Sequence, residues 1–125
     1  MIIVDTSVWI EFFKNNLTVS AALRQEIELF HVLAIECVFS ELLQGVRHRS
    51  EAEIITKYWE LLPKIEERGL WIQAGLLSSK NHWGSKGIGL IDACLITAAR
   101  NSKSQVWSLD KKLNAVLKPL ERFLP

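Results

Sequence analysis

Short apolar segments alternate along the chain with longer stretches whose apolar residues recur at helical spacing. Three of the short segments predict β-strands, at Met1–Val4, His31–Ile35 and Gln105–Ser108. The helical spacing predicts helices over residues 8–14, 19–30, 38–45, 50–62, 70–81, 90–100 and 111–117. A further strand is predicted around Ile65, and an edge strand over residues 122–124.

Strands that alternate with helices form βαβ units, in which successive strands run parallel and the helices cover the sheet. We therefore predict an α/β fold with a small parallel β-sheet flanked by helices on both faces. A chain of 125 residues has room for one hydrophobic core, so residues 1–125 are expected to form a single domain. Ser7 is expected to cap the helix over 8–14.

Composition narrows the class of protein. Hydrophobic residues make up 49% of the chain and charged residues 23%, which excludes a disordered chain. The formal net charge of +1 gives no general signal for nucleic-acid binding, so an RNA hypothesis must rest on local features. With no signal peptide and no apolar run near the roughly 20 residues that span a bilayer, we expect a soluble, cytoplasmic protein that does not bind membranes. Cys37 and Cys94 lie in apolar stretches and are expected to be buried, without a disulfide or zinc.

The acidic residues are placed unevenly. Only three of the fourteen are aspartates, Asp5, Asp92 and Asp110, and each directly follows an apolar segment. In an open parallel sheet, ligands bind in the crevice beyond the carboxyl ends of the strands. Asp5 and Asp110 both stand where a predicted strand ends, so we expect both to point into that crevice.

Glu41 is the fourth candidate, because its neighbours in the predicted helix are apolar and the nearest charged residues are Glu36 and Arg47. A carboxylate in such surroundings is costly to bury unless it is paired or bound to a metal. Clustered carboxylates without His or Cys partners are hard oxygen ligands, suited to Mg²⁺ or Mn²⁺. Such clusters are typical of phosphoryl chemistry, in which metal ions activate water and stabilise the leaving oxygen.

A second interpretation of the aspartates remains open. Asp5, Asp92 and Asp110 can each be explained singly as the cap of the helix that follows or contains it. Taken together with Glu41, however, the three favour one shared site over separate caps.

At these residues the sequence resembles the PIN-domain family, and within it the VapC-type toxins of bacterial toxin–antitoxin pairs. The matching elements span nearly the whole chain and are Ile3–Ile10, Ser40–Val46, Gly89–Ala99 and Ser108–Leu113. The resemblance implies a PIN fold, bound Mg²⁺ or Mn²⁺, endonucleolytic cleavage of RNA, and a small cognate antitoxin as partner. We also expect a homodimer, since some tryptophans suit a subunit interface.

Carried over residue by residue, the resemblance implies that Asp5, Glu41, Asp92 and Asp110 are the catalytic and metal-binding acids. Thr6 and Ser7 match the polar pair after the first aspartate, and Ser7 is expected to contribute through its hydroxyl. Ser108 stands where the family usually has threonine, and Leu113 where it has an aromatic residue; the first change keeps the hydroxyl and the second is expected only to repack the core. No acid occupies the next turns of the Asp92 helix, which leaves the number of metals open.

Two basic segments could contact RNA. Arg47–Arg49 either follows an RNA backbone or is a solvated helix end. The glycine-rich loop 82–89 either guides single-stranded RNA, with Trp83 stacking on a base, or is an ordinary surface connection.

The chief alternative function is a Mg²⁺-binding phosphoacceptor signalling domain, which is also α/β with aspartates at strand ends. That class needs an acidic pair close to the first strand, whereas Asp5 is followed by Thr6 and Ser7.

Overall fold

The computed structural model describes all 125 residues, which form three strands and seven α-helices. In chain order these are β1 (Ile2–Val4), α1 (Thr6–Phe13), α2 (Leu17–Glu28), β2 (Val32–Leu33), α3 (Glu36–Gln44), α4 (Arg49–Leu61), α5 (Leu70–Asn81), α6 (Leu90–Ser102), β3 (Gln105–Trp107) and α7 (Lys111–Val116). Single 3₁₀ turns lie at Gly84–Lys86 and Pro119–Glu121. None of the helices combines the length and hydropathy needed to cross a membrane.

The three strands form one parallel sheet in the order β2-β1-β3. Ile2 of the central strand is in register with Val32 on one side and Gln105 on the other. All three residues of β1 are buried, because helices cover both faces of the sheet. The predicted α/β class with a small parallel sheet is therefore confirmed. Because β2 and β3 lie on opposite sides of β1, the strand order reverses at β1, where such sheets form a crevice at their carboxyl edge.

The core is a cluster of 30 buried residues drawn from the sheet and from most of the helices. On one side, α1 packs on α2 and α3, and α3 packs on α4; on the other, α5 packs on α6, which contacts β1 and β3. Trp9 is 1% exposed and Trp107 3% exposed, as expected for core residues. The indole of Trp9 contacts the rings of Phe12, Phe13, Phe39 and Tyr58, so aromatic packing fixes α1 against α3 and α4.

The structure corrects three local predictions. The first helix begins at Thr6 and its cap is Asp5, because the hydroxyl of Ser7 is bound to other partners described below. No strand forms around Ile65; an isolated bridge joins Ala34 and Lys64 there. The predicted edge strand over 122–124 is likewise only one bridge, between Val106 and Arg122.

Cys37 and Cys94 are free and buried, as expected. They are close enough to hydrogen-bond, and that bond together with burial raises the pKa of the Cys37 thiol above its usual value. A thiol held in this neutral state is a poor nucleophile and a poor metal ligand. Because both side chains are buried within the core cluster, the two cysteines serve as small core side chains between α3 and α6.

Candidate active site

Asp5 lies at the carboxyl end of β1 and is 6% exposed. Its Oδ1 accepts the backbone N–H of Thr6 at 2.8 Å, and its Oδ2 accepts the hydroxyls of Ser7 at 2.8 Å and Ser108 at 2.7 Å. Hydrogen bonds to an ionised carboxylate are among the stronger ones in proteins, and three of them offset the cost of burying this charge. Asp5 is thus held in one orientation at the crevice.

Two serines tie the loop after β3 to Asp5. The hydroxyl of Ser7 donates to Asp5 and accepts the backbone N–H of Leu109 at 3.0 Å. The hydroxyl of Ser108 also donates to Asp5 and accepts the backbone N–H of Asp110 at 3.0 Å. Each serine therefore joins the end of β1 to the residues that follow β3, which brings Asp110 to the same edge of the sheet as Asp5.

Glu41 reaches this edge from α3 and is half-buried. Its Oε1 accepts the hydroxyl of Thr6 at 2.7 Å. Since the backbone N–H of Thr6 donates to Asp5, this one threonine connects the two acids. Thr6 therefore has a larger part in the arrangement than the sequence indicated; the only signal was a hydroxyl directly after the first aspartate.

Asp92 occupies the first turn of α6, the helix that packs on β1 and β3, and is half-buried. Burial raises the pKa of its carboxyl, and the charges of Asp5, Asp110 and Glu41 raise it further. A contact with the backbone of Gly89 lowers it, and the outcome is a pKa of about 6 against an ordinary value of 3.8. All three other predicted acids thus act on Asp92, because like charges a short distance away oppose its ionisation.

Asp110 is the N-cap of α7 and is exposed. Its Oδ1 accepts the backbone N–H groups of Lys112 at 2.8 Å and Leu113 at 3.4 Å. Asp5 also caps its helix, through the N–H of Thr6. The capping interpretation is therefore correct for both residues, but it does not explain why Glu41 and Asp92 lie at the same edge of the sheet.

No lysine, arginine or histidine lies within 4.0 Å of any of these four carboxylates, so their negative charge is uncompensated. As placed, no three His, Cys, Asp or Glu side chains are close enough together to hold one metal ion. Local donors orient three of the carboxylates, those of Asp5, Glu41 and Asp110. An uncompensated, all-oxygen donor set nevertheless fits a hard divalent cation such as Mg²⁺, which commonly keeps several waters and binds only one or two carboxylates.

In the two basic segments, Trp83 and Arg49 already have partners within the protein. Trp83 is 3% exposed and its ring lies beneath the guanidinium of Arg100 at 5.6 Å, so it is not free to stack on a base. Arg49 is paired with Glu53 within α4, and the backbone N–H of Arg47 donates to Glu51. The structure therefore favours the solvated helix end for this second segment.

Comparison with protein families assigns the fold to a class. The family model described as PIN domain matches residues 2–118, which is nearly the whole chain. The chain belongs to the PIN-domain family, and membership implies nuclease activity, which in this family typically depends on a divalent metal and acts on RNA. No curated protein matches the chain in sequence.

Proposed function

We propose that the protein is a Mg²⁺- or Mn²⁺-dependent endoribonuclease whose metal-binding acids are Asp5, Glu41, Asp92 and Asp110. The strongest support is the proximity of the acids: Thr6 links Asp5 to Glu41, and the pKa of Asp92 is raised by burial first and further by the charges of Asp5, Asp110 and Glu41. Residues 1–125 act as one PIN-like domain in this proposal, since the core cluster draws on residues from Ile2 to Leu117.

The protein's own contribution is to position the acids around a phosphodiester. A divalent ion bound there would supply Lewis-acid activation of water and stabilisation of the leaving oxygen. Ser7 and Ser108 fix Asp5, and Thr6 fixes Glu41 relative to Asp5. Because the hydroxyl proton of Ser7 is already donated to Asp5, Ser7 serves the reaction by orienting that carboxylate and the loop at Leu109.

The biological role in this proposal is that of the toxin in a type II toxin–antitoxin pair, acting in the cytoplasm where its RNA substrate is made. A groove of about 420 Å³ between α1, α3 and α4 supports a protein partner, because it is lined mainly by apolar side chains and reaches Thr6 and Glu41. An antitoxin segment seated in this groove would block access to the acids. Exposed apolar side chains on α5, namely Trp71, Ile72 and Leu76, support the proposed homodimer.

The nuclease proposal is tested with purified, partner-free protein and labelled RNA. We expect cleavage with Mg²⁺ or Mn²⁺, none in EDTA, and at least a hundredfold loss in Asp5→Asn and Asp92→Asn. Glu60→Gln on the exposed face of α4 is the matched control and should cleave like wild type. Undiminished cleavage in EDTA, or full activity in both aspartate variants, would refute it.

The toxin role has a separate test. Expression of wild type should arrest growth, whereas expression of Asp92→Asn should not, and coexpression of a cognate antitoxin should restore growth. Harmless expression of a demonstrably active nuclease would remove the toxin role and leave the nuclease proposal intact.

The phosphoacceptor alternative gains nothing from the structure. That class needs an acidic pair close to the first strand, whereas Thr6 and Ser7 follow Asp5 and their hydroxyls bind Glu41 and Asp5.

A further inference from the structure

A second cleft of about 680 Å³ opens between α6, α7 and the 3₁₀ turn at Gly84–Lys86. Five of the nine residues that line it are cations, and no acid is among them. The five are Lys86, Arg100, Lys111, Lys112 and Lys118. The whole chain has fifteen lysines and arginines and a net charge of only +1, so this local concentration does not follow from composition. Together these five residues define a basic cleft.

Most of the positive charge in the basic cleft is unpaired. Arg100 is paired with Glu121, with Nε and Oε1 2.9 Å apart. Burial alone would raise the pKa of Glu121, but the hydrogen bond from Arg100 and the charges of Arg100 and Lys118 lower it overall. The other three cations, Lys86, Lys111 and Lys112, have no carboxylate within 4.0 Å. Like charges gathered without partners are unfavourable unless an anion binds among them.

The shape of the basic cleft depends on specific packing. Gly87 has φ +79°, and a Cβ placed on it would lie 3.0 Å from Cδ and 3.3 Å from Nζ of Lys112. The glycine thus lets the lysine side chain lie across the backbone of the turn. Beneath them, the buried ring of Trp83 packs under Arg100. Arg100 is therefore held in place by Trp83 and Glu121, which lowers the entropy lost when an anion binds.

The basic cleft adjoins the acidic site through two chain segments. Lys111 and Lys112 directly follow Asp110, and the backbone N–H of Lys112 donates to its carboxylate. On the other side, the turn with Lys86 runs into α6, whose first turn holds Asp92. A polyanion crossing the basic cleft would therefore continue towards the four acids.

We propose that the basic cleft binds the phosphate backbone of the RNA strand whose scissile phosphate lies at the acidic site; this rests on the proposed ribonuclease function. Lysine contacts to phosphate fix the position of a strand without reading its bases. With Trp83 buried, the cleft offers no exposed aromatic ring for base stacking. Recognition here is therefore independent of sequence, and any choice of cleavage site comes from elsewhere in the protein.

The test compares two triple variants of equal charge. The cleft variant is Lys86→Gln, Lys111→Gln and Lys112→Gln. The control is Lys57→Gln, Arg68→Gln and Lys103→Gln, which removes three exposed cations outside both sites. Binding of fluorescein-labelled twelve-nucleotide oligo(U) and oligo(A) RNA is measured by anisotropy in EDTA between 50 and 200 mM KCl.

Each phosphate contact on a single strand contributes about 0.7 to the slope of log affinity against log salt. Three lost contacts should therefore flatten the slope by about 2, and the affinity lost between 50 and 200 mM KCl should be about 20-fold smaller than in wild type. The control should keep the wild-type slope. The same change is expected for both RNAs, because only phosphates are contacted.

A cleft variant with the slope of the control would overturn the proposal, and so would a change confined to one of the two RNAs. Oligo-glutamate of matched charge is the probe for an acidic protein partner. If the cleft variant no longer binds oligo-glutamate but binds RNA like wild type, the cleft is a protein-docking site and the proposal fails. Binding is measured without cleavage, so RNA degraded in EDTA would count against the metal mechanism alone.

Thermal melts of both variants verify folding. As a second variant, Gly87→Ala should weaken RNA binding with every charge retained.

Discussion

Replacing Asp92 with asparagine removes one negative charge from the acidic site and keeps a side chain that can still accept a hydrogen bond from Gly89. The pKa of Asp92 rises from 3.8 to about 6 in the folded protein. Without solvent screening, this shift would correspond to a free-energy cost of about 3 kcal/mol for ionising Asp92 in the folded state. Because the side chain is only half-buried, water screens the interaction and reduces the effect to about 1–2 kcal/mol. Without metal, Asp92→Asn should be more stable than wild type by that amount at pH 7.5.

The direction of the pKa shift of Asp92 determines the pH range in which the stability effect appears. An acid whose pKa is higher in the folded protein than in the unfolded chain is costly to ionise on folding. For Asp92 that cost is absent below pH 3.8, grows between pH 3.8 and about 6, and is fully present above that range. The advantage of the asparagine variant should therefore appear as the pH rises through this window and vanish at pH 3.5.

Thermal melts in EDTA at several pH values measure this effect, and about 1 kcal/mol corresponds to roughly 3–6 °C for a domain of this size. Glu51→Gln is the matched control, because Glu51 has the same position in the first turn of α4 but lies outside the four acids. It should bring no gain in stability. Added Mg²⁺ should stabilise wild type by about 2.7 kcal/mol at a hundred times its Kd, and Asp92→Asn less. An asparagine variant that melts below wild type at pH 7.5, or whose advantage does not change with pH, would mean that ionised Asp92 carries no energetic cost in the folded protein.

Three further outcomes are expected. Thr6→Val keeps the backbone hydrogen bond to Asp5 but loses the hydroxyl hydrogen bond to Glu41. The initial rate of cleavage should fall at least tenfold, and thermal melts should show a loss of about 1 kcal/mol in the free energy of unfolding. Gly87→Ala forces a β-carbon onto a backbone with φ +79° and should cost about 1–2 kcal/mol in urea unfolding. Arg100→Met removes the partner that lowers the pKa of Glu121, so its destabilisation should be present at pH 7 and shrink below pH 4.

Local sequence signals predicted a helix or strand well where breaker residues or a continuous apolar run define its ends. Helix α5 has the predicted bounds, Leu70–Asn81, because Pro63 and the glycines at 69 and 84 separate it from its neighbours. Strand β1 was equally clear from four apolar residues followed by an aspartate. The predicted strand around Ile65 was wrong. The chain makes only one bridge there, between Lys64 and Ala34, and the extent of such long-range pairing is not encoded in a local pattern.

The positions of the four acids could be anticipated from the sequence, but their hydrogen bonds could not. Apolar segments before the three aspartates and the apolar neighbours of Glu41 singled these residues out, and their role as one metal site stays a prediction. Which hydroxyl binds which carboxylate depends on the angle between α1 and α3, so the link from Thr6 to Glu41 was not foreseen. The burial of Trp83 was also missed, because its cover comes from Arg100, seventeen positions further along the chain.

We propose that Asp5, Glu41, Asp92 and Asp110 form one metal site for RNA cleavage. Anomalous diffraction from crystals soaked in Mn²⁺ tests it most directly, since the metal is then located without reference to activity. We expect a peak at the carboxyl edge of the sheet, about 2.1 Å from carboxylate oxygens of at least two of the four acids, and its loss in Asp92→Asn. Mn²⁺ bound only elsewhere, at a concentration that supports cleavage, would contradict the claim.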